Sequence, residues 1–300
     1  MRALVVETFL HHLPIGAGWM EGLKELGHEA YALPSHMYNI NDIDEPMDIV
    51  MFIGTHTFTH TDLIKYKNKW PETKVVVVCS GFDKEYLNIR EYVDLWVEHT
   101  YKHDIIDDIF NSEGMKIAHI PLATSEKTFY NTNIEDKPYD VSFIGQFGNN
   151  GHGHRDEDIY LYPIMKLPIK GFWSGFNGYP QVHASNLINI YNNTKVNINF
   201  HYPYQKKQSD QTSDSIDFNS RVFDIAITKN FQLCDHPHIL EFFDEGIGYA
   251  DKHEWTDMFN YYLHNEEARI EKANKAYDIC KENHTWKSRM LTLTNIINNL

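Results

Sequence analysis

A glycine-rich segment followed by an arginine is the first place where this chain could do chemistry. Gly145 and Gly148 open it directly after an apolar run, and Arg155 ends it before a predicted helix over 156–165. Glycines let a backbone turn close to a ligand, and the free N–H groups at a helix start attract phosphate. The segment therefore predicts either a phosphate site or a glycine-rich surface loop that binds nothing.

A second group of polar residues surrounds the start of another predicted helix. Asn219 and Arg221 stand before or within its first turns, and Asp224 follows Arg221 three residues later, on the same helix face. An arginine fork pairs with phosphate, and a carboxylate accepts hydrogen bonds from sugar hydroxyls. The same spacing also suits an ordinary surface salt bridge, so both interpretations stay open here.

Three side chains in the first half are candidates for a general base. His12, His56 and Asp83 follow apolar runs that read as parallel strands, and the carboxyl ends of such strands line the ligand crevice of open α/β sheets. An imidazole that titrates near neutral pH suits proton abstraction from a hydroxyl. The chain has 18 His, so each histidine also has an ordinary surface or packing interpretation.

The sequence predicts no metal site and no disulfide framework. His152 and His154 lie in the glycine-rich segment, but no third ligand joins them at a recognisable spacing. The three cysteines are too few and too scattered for paired thiols, which favours a reducing, cytoplasmic compartment. No apolar run reaches the roughly 20 residues of a membrane span, so we expect none.

Length and composition exclude some classes of protein. The 300 residues are 42% hydrophobic and 14% aromatic, which excludes disorder as the main state. The formal charge is 27 − 42 = −15. A general polyanion binder needs an excess of Lys and Arg, so any phosphate must be held locally in this chain.

Short apolar runs alternate with amphipathic segments along the whole chain, which predicts βα units around parallel sheets. We expect an α/β fold of two domains facing each other across a cleft. Residues 1–122 would form the first domain, 123–138 a polar linker bounded by prolines, and 139–283 the second domain. Residues 284–300 would form an amphipathic helix that packs back toward the first domain.

Ordered landmarks in the second half resemble the CgeB-like, spore-maturation-type glycosyltransferases of the GT-B group, which also contains the group 1 transferases. The resemblance covers roughly residues 139–298, and its weight lies in the order of many landmarks. They are Tyr139-Asp-Val-Ser-Phe-Ile-Gly145, Ile190 to His201, Asn219-Ser-Arg-Val-Phe-Asp224, Phe231-Gln-Leu233, Leu240-Glu-Phe-Phe243, Tyr261-Tyr-Leu263 and His284-Thr-Trp-Lys-Ser-Arg289.

The resemblance implies two Rossmann-like domains and transfer of a sugar from a nucleotide-sugar, such as a UDP-sugar, held by the second domain. It places the segment from Gly145 to Arg155 near the diphosphate and makes Arg221 the phosphate partner. Asp224 takes the position of the acid that binds the donor ribose, where Glu is usual. Lys229 stands where the family has glycine, and it could instead contact phosphate.

The donor is the only co-substrate implied, with no metal required. The acceptor is open among a glycan, a small molecule, a protein and a modified DNA base. One alternative is a non-catalytic binding or assembly protein on the same scaffold. The other is a phage-type DNA-base glycosyltransferase, for which the first half offers only a short basic stripe, Lys65, Lys67, Lys69 and Lys74.

Overall fold

The computed structural model describes residues 1–10, 15–79, 84–101, 104–145, 157–175, 178–201, 216 and 218–300. These residues form two compact units. The first unit contains the described residues of Met1–Leu122, Ile216 and Trp286–Leu300, and the second contains those of Ala123–Thr212 and Phe218–Thr285. Each unit is described by itself below.

The first unit is built on a parallel sheet. Its described strands are β1 (Arg2–Glu7), β2 (Glu29–Pro34), β3 (Ile49–Ile53), β4 (Lys74–Cys79), β5 (Leu95–Glu98) and β6 (Ile117–His119). They lie in the order β2-β1-β3-β4-β5-β6. The central strands are continuous apolar runs such as Val75–Val78, buried on both faces, as expected when helices cover a parallel sheet.

The helices of the first unit are α1 (Ile15–Glu25), α2 (His60–Lys69) and α3 (Asp104–Ser112), with 3₁₀ turns at Ile40–Asp42, Thr55–Thr57 and Lys84–Tyr92. The chain leaves α1 through Gly27, whose φ is +79°. A left-handed residue at a helix end favours glycine. The helix α2 begins after Thr59, whose hydroxyl accepts the N–H of Asp62.

The second unit repeats this plan. Its described strands are β7 (Tyr139–Ile144), β8 (Gly171–Ser174), β9 (Thr194–Asn199), β10 (Gln232–Cys234) and β11 (Gly248–Tyr249), all parallel, in the order β11-β10-β9-β7-β8. In both sheets the strand order reverses once, between β1 and β3 and between β7 and β9. The carboxyl ends at such a reversal are where doubly wound sheets bind ligands. The prediction of two Rossmann-like α/β domains is confirmed.

The helices of the second unit are α4 (Glu157–Tyr160), α5 (Tyr162–Met165), α6 (Leu187–Asn192), α7 (Arg221–Ile227), α8 (Ile239–Phe243), α9 (Trp255–His264) and α10 (Glu266–Asn283). The helix predicted over 156–165 is interrupted at Leu161, because Pro163 has no N–H to continue the α4 ladder and instead stands in the first turn of α5. No helix in the described ranges is long and apolar enough to cross a membrane.

The C-terminal helix α11 (Trp286–Ile297) belongs to the first unit, where it packs on α1. A Cβ added at Gly18 would lie 2.1 Å from the Trp286 ring, and one at Gly22 would lie 2.4 Å from the Trp286 carbonyl oxygen. Trp19 and Met290 are fully buried in the same contact. The prediction that this helix packs back on the first domain is confirmed. Gly18 and Gly22 allow the two helices to approach this closely.

We predict that Gly22→Ala destabilises the first unit by about 1–3 kcal/mol, because the new methyl group meets backbone rather than a side chain that can move. Urea unfolding measures the free energy, with Lys24→Ala on the exposed side of α1 as the control. Equal stability of the Gly22→Ala variant and the native chain would show that α11 does not pack this closely.

The turn that follows α7 holds Lys229 in the left-handed region, with φ +58°. Its ammonium lies 5.5 Å from the centre of the Tyr277 ring, an attractive cation–π contact. A non-glycine residue pays about 1–2 kcal/mol in this backbone region. The backbone therefore explains why glycine is expected at this position.

Replacing Lys229 by glycine and by alanine separates the backbone from the side chain. Both variants lose the contact with Tyr277, but only glycine relieves the left-handed backbone, so Lys229→Gly should be more stable than Lys229→Ala by about 1 kcal/mol. Thermal unfolding of the two variants side by side measures the difference. An alanine variant as stable as the glycine variant would contradict the prediction.

Candidate active site

The candidate site lies at the carboxyl ends of β7 and β9, where the strand order of the second sheet reverses. Gly145 follows β7, is buried, and donates its N–H to the Ser174 carbonyl at 3.2 Å. His201 follows β9, and α7 begins after the connection from that strand. Two predicted donor-binding residues, Gly148 and Arg155, lie outside the described residues.

Arg221, the first residue of α7, has a buried guanidinium. Its Nε and Nη2 atoms have no hydrogen-bond partner among the described residues. Burial lowers the pKa of Arg221, while Tyr191 and Asp224 act electrostatically in the opposite direction. A buried cationic fork with unused N–H groups is suited to an anionic ligand, because a phosphate would supply the missing acceptors.

Asp224 lies one turn further along α7 and is 5% exposed. Its Oδ1 accepts a hydrogen bond of 2.8 Å from the Thr124 hydroxyl. Burial raises the pKa of Asp224 to about 7, against the opposing effects of Thr124 and Arg221. The pair is therefore not the surface salt bridge that the spacing alone allowed, since both groups are withdrawn from water.

Asn219 positions the start of α7. It exchanges two hydrogen bonds with Asn199 at the end of β9, of 3.2 and 2.9 Å between amide groups. The side-chain amide of Asn219 thus accepts one hydrogen bond through Oδ1 and donates the other through Nδ2. The predicted donor-binding residue thus ties the helix that carries Arg221 to the strand beside it.

Four further residues of this region were not predicted as site residues. The Tyr191 hydroxyl, the Gln232 Oε1, the His201 Nε2 and the His236 Nδ1 are buried and find no partner within the described part of the chain. Buried polar atoms without partners are rare in folded proteins, and ligands often satisfy them. Their common signal in the sequence is position, since Tyr191 lies in α6 just before β9 and the other three lie in β10 or within two residues of the end of β9 or β10.

His201 also belongs to a compact group with Cys234 and Asp235, whose possible ligand atoms all lie within 4.8 Å of one another. The His201 Nδ1 is 2.9 Å from Asp235 Oδ1 and 3.7 Å from Cys234 Sγ. Burial raises the pKa of the Cys234 thiol well above its ordinary value. This group combines thiol, imidazole and carboxylate ligands on two adjacent strand ends.

In the first unit, His56 lies in the 3₁₀ turn directly after β3, at the strand reversal, and is exposed. Gly54, with φ +85°, passes so close that a Cβ there would lie 2.5 Å from the His56 ring. The other two candidate bases, His12 and Asp83, lie outside the described residues, as do His152 and His154. His56 is thus placed where an α/β sheet receives ligands.

The structure does not bring Lys229 to Arg221. The two residues stand at opposite ends of α7, separated by eight positions, or about 12 Å of helix. Lys229 lines a cavity of about 720 Å³ at the amino ends of the strands, together with Lys137, Lys195 and Arg269. In that cavity, burial lowers the pKa of Lys137 to about 8.

Comparisons with known proteins agree with this architecture. Residues 157–295 match the family model described as glycosyl transferase-like. Sucrose-phosphate synthase from Thermosynechococcus elongatus superposes with a TM-score of 0.60 at 10% identity, over 99% of this chain and 98% of that one. Anabaena HepE in complex with UDP-glucose superposes with a TM-score of 0.57 at 8% identity, over 100% of both chains.

The DNA modifying enzyme β-glucosyltransferase, studied with and without uridine diphosphoglucose, also covers 100% of both chains, with a TM-score of 0.59 at 12% identity. The chain has the GT-B fold. No curated protein sequence matches it. The GT-B fold accounts for the two parallel sheets with the same strand order, and likeness at identities this low shows the fold alone.

We predict that Asp224→Asn gains stability over the native chain as the pH rises. The pKa of about 7 in the folded chain is above the ordinary aspartate value of 3.8, so the unfolded chain loses its proton first. Native stability therefore falls from about pH 4 until the folded carboxyl ionises near pH 7, and it stays lower above that. Asparagine keeps an acceptor for Thr124 but does not ionise.

The free energy of unfolding of Asp224→Asn should rise relative to that of the native chain by up to about 4 kcal/mol between pH 4 and pH 8. This follows from the rise of the Asp224 pKa from 3.8 to about 7 in the folded chain. Denaturant unfolding across this range measures it. Asp44→Asn, whose carboxylate is 95% exposed, is the control. A pH-independent difference would mean that Asp224 is ionised normally in the folded chain.

Proposed function

We propose that this chain is a glycosyltransferase that uses a nucleotide-diphosphate sugar, with the donor bound by the second unit, and that it belongs to the CgeB-like branch suggested by its landmarks. The buried Nε and Nη2 atoms of Arg221, which have no partner among the described residues and lie at the strand reversal, are the observation that carries the proposal. The family-model match over residues 157–295 supports it independently. Two similar structures, one studied with uridine diphosphoglucose and the other in complex with UDP-glucose, make a UDP-sugar the first donor to test.

In this proposal Arg221 stabilises the leaving group. As the bond between the sugar and the diphosphate breaks, negative charge grows on the diphosphate oxygens. A fixed guanidinium in a site shielded from water stabilises that charge without reorganising. Gly148 and Arg155 would add backbone N–H groups and a second cation. Gly145, whose own N–H is bonded to Ser174, would let the backbone come close to the diphosphate. The diphosphate would then require no Mg²⁺ or Mn²⁺.

Asp224 would accept hydrogen bonds from the donor ribose. A hydroxyl donor offers the carboxylate a partner in addition to Thr124, which favours the ionised form. Donor binding would then lower the pKa of Asp224 and strengthen its attraction to Arg221. Asn219, held by Asn199, would keep the start of α7 in register with the end of β9.

The acceptor hydroxyl would lose its proton to a base of the first unit. His56 is the candidate among the described residues, because it is exposed at the strand reversal of that sheet. His12 and Asp83 remain candidates for the same role. We expect a His56→Gln variant to bind donor normally and to lose transfer to acceptor, if His56 is the base.

A second candidate function is transfer to a DNA base. Its support is the likeness to the DNA modifying β-glucosyltransferase over the full length of both chains. The charge of −15 opposes it, since a DNA-binding surface needs cations to neutralise phosphates. Salt-dependent binding of duplex DNA together with sugar incorporation would favour this candidate over a glycan, small-molecule or protein acceptor.

The proposal predicts that a nucleotide sugar stabilises the native chain and is turned over. UDP-, GDP- and TDP-sugars are compared by the shift in melting temperature and by the release of nucleotide diphosphate, with and without added Mg²⁺ or Mn²⁺. Loss of the Arg221 contact removes a charge-assisted interaction with the leaving group. Arg221→Ala should therefore reduce donor turnover by about 10²-fold or more.

Lys275→Ala provides the matched control. It also removes one positive charge from the second unit, but Lys275 lies on α10 and pairs with the exposed Asp244 at 2.9 Å. Its donor turnover should equal that of the native chain. If no nucleotide sugar binds, or if Arg221→Ala is as active as Lys275→Ala, the proposed donor site is wrong. A non-catalytic binding protein would show donor stabilisation without turnover.

A further inference from the structure

Cys234, Asp235 and His201 meet where two neighbouring strands end. Cys234 is the last residue of β10 and pairs in register with Asn199, the last residue of β9. His201 follows two positions later, so both connections leave the sheet side by side. The side chain of His201 is 9% exposed and that of Asp235 is 10% exposed, while Cys234 is fully buried.

Backbone hydrogen bonds fix these side chains. The N–H of His201 donates to Asp235 Oδ1 at 2.9 Å. The N–H of His236 donates to Cys234 Sγ at 3.5 Å, so the sulfur already acts as an acceptor. Outer hydrogen bonds of this kind orient metal ligands and tune them. The group is therefore held in place by the ends of the two strands.

The ligand types and their spacing are those of a transition-metal site. Tetrahedral zinc with sulfur at about 2.3 Å and nitrogen or oxygen at about 2.0–2.2 Å places its ligand atoms roughly 3.3–3.6 Å apart. The observed separations are 3.7 Å from Cys234 Sγ to His201 Nδ1 and 2.9 Å from His201 Nδ1 to Asp235 Oδ1. The third pair, Cys234 Sγ and the Asp235 carboxylate, lies within 4.8 Å.

A fourth group stands beside the three. The His236 ring is centred 5.2 Å from the His201 ring, and its buried Nδ1 has no partner among the residues that the structure describes. Phe218 packs on both imidazoles, with ring centres 5.9 and 4.8 Å away. An apolar wall of this kind limits the access of water, which strengthens the binding of a cation to its ligands.

We propose that His201, Cys234 and Asp235 bind a divalent transition-metal ion of the zinc type, with His236 as the fourth ligand. Thiolate and imidazole ligands favour such an ion over Mg²⁺ or Ca²⁺, which prefer oxygen. The ion fastens the connections after β9 and β10 to each other. The proposed donor chemistry does not use this ion, because it requires no hard metal on the diphosphate.

Binding of one metal ion releases one proton from the chain. The Cys234 thiol releases its proton to solvent and becomes a thiolate. The imidazole proton of His201 moves from Nδ1, now bound to the metal, to Nε2. Asp235 binds as a carboxylate through an oxygen that no longer accepts the Nδ1 proton. No oxidant or reductant takes part.

Cobalt and zinc titrations of the full chain test the site. After treatment with a chelator, one equivalent of Co²⁺ should give a sulfur-to-cobalt charge-transfer band and the visible bands of tetrahedral cobalt. Zn²⁺ should displace the cobalt. Cys234→Ser should remove the charge-transfer band and weaken zinc binding by on the order of 100-fold or more, since it loses a direct ligand.

Cys280→Ser is the matched control, because Cys280 is equally buried in the same unit but donates to the Phe223 carbonyl at 3.5 Å. It should keep the band and the native zinc affinity. The spectrum of the native chain decides the question even if Cys234→Ser fails to fold. The absence of a thiolate band, or equal zinc affinity in the two cysteine variants, overturns the proposal.

The donor assay remains a separate readout. A native chain that binds no zinc but hydrolyses a nucleotide sugar contradicts the metal site alone. A chain that binds zinc through Cys234 but recognises no nucleotide sugar contradicts the proposed transferase alone. His236→Ala with unchanged zinc affinity would remove His236 from the ligand set and leave the fourth position to solvent.

Discussion

A guanidinium that is buried away from water needs other hydrogen-bond acceptors. The groups around Arg221 in the second unit reflect this requirement. Arg221 is buried with two nitrogen atoms unpartnered among the described residues, next to the carboxyl group of Asp224. Such an arrangement costs free energy in the absence of a ligand. The sheet, the Asn199–Asn219 exchange and the Thr124 hydroxyl together hold this costly pair in one position. An anionic ligand with hydroxyl groups would satisfy both members at once.

The two sheets impose the same constraint on both halves of the chain. In each sheet the order of the parallel strands reverses once. The two connections beside this reversal run away from each other, so neither fills the space above the carboxyl ends of the strands. His56 occupies this place in the first unit, and Gly145 and His201 occupy it in the second. The fold therefore selects which polar residues can meet a ligand, whatever their spacing along the chain.

Most of the fold could be predicted because its strands are apolar or alternating runs. The continuous apolar run from Ile49 to Ile53 marks β3, and the stretch from Lys195 to Phe200, in which polar and apolar residues alternate, marks β9 to within one residue. The interruption at Leu161 departs from the predicted helix, because Pro163 lacks the N–H that a continuous helix would need there. The C-terminal helix was predicted correctly from its apolar stripe, but the glycines that accept it on α1 gave no separate signal.

The site was only partly predictable. The i, i+3 spacing placed Arg221 and Asp224 on one face but could not tell a surface pair from a buried one, since burial depends on the Thr124 segment 100 positions away. Lys229 looked adjacent in sequence, yet a helix running from one edge of the sheet to the other carries it away from Arg221. His201 is more than 30 positions away from the adjacent Cys234 and Asp235 and meets them only through strand pairing.

The route of the chain has a practical consequence for dissecting the molecule. The polypeptide enters the second unit after Leu122 and returns to the first for the last time at Trp286, so α11 covers Trp19 with residues from the far end of the chain. A fragment that ends at Leu122 lacks α11. Its Trp19 indole loses the contact with Trp286, and its Pro121 carbonyl loses the Arg289 guanidinium. In any chimaera with a similar protein, residues 286–300 should therefore be exchanged together with residues 1–122.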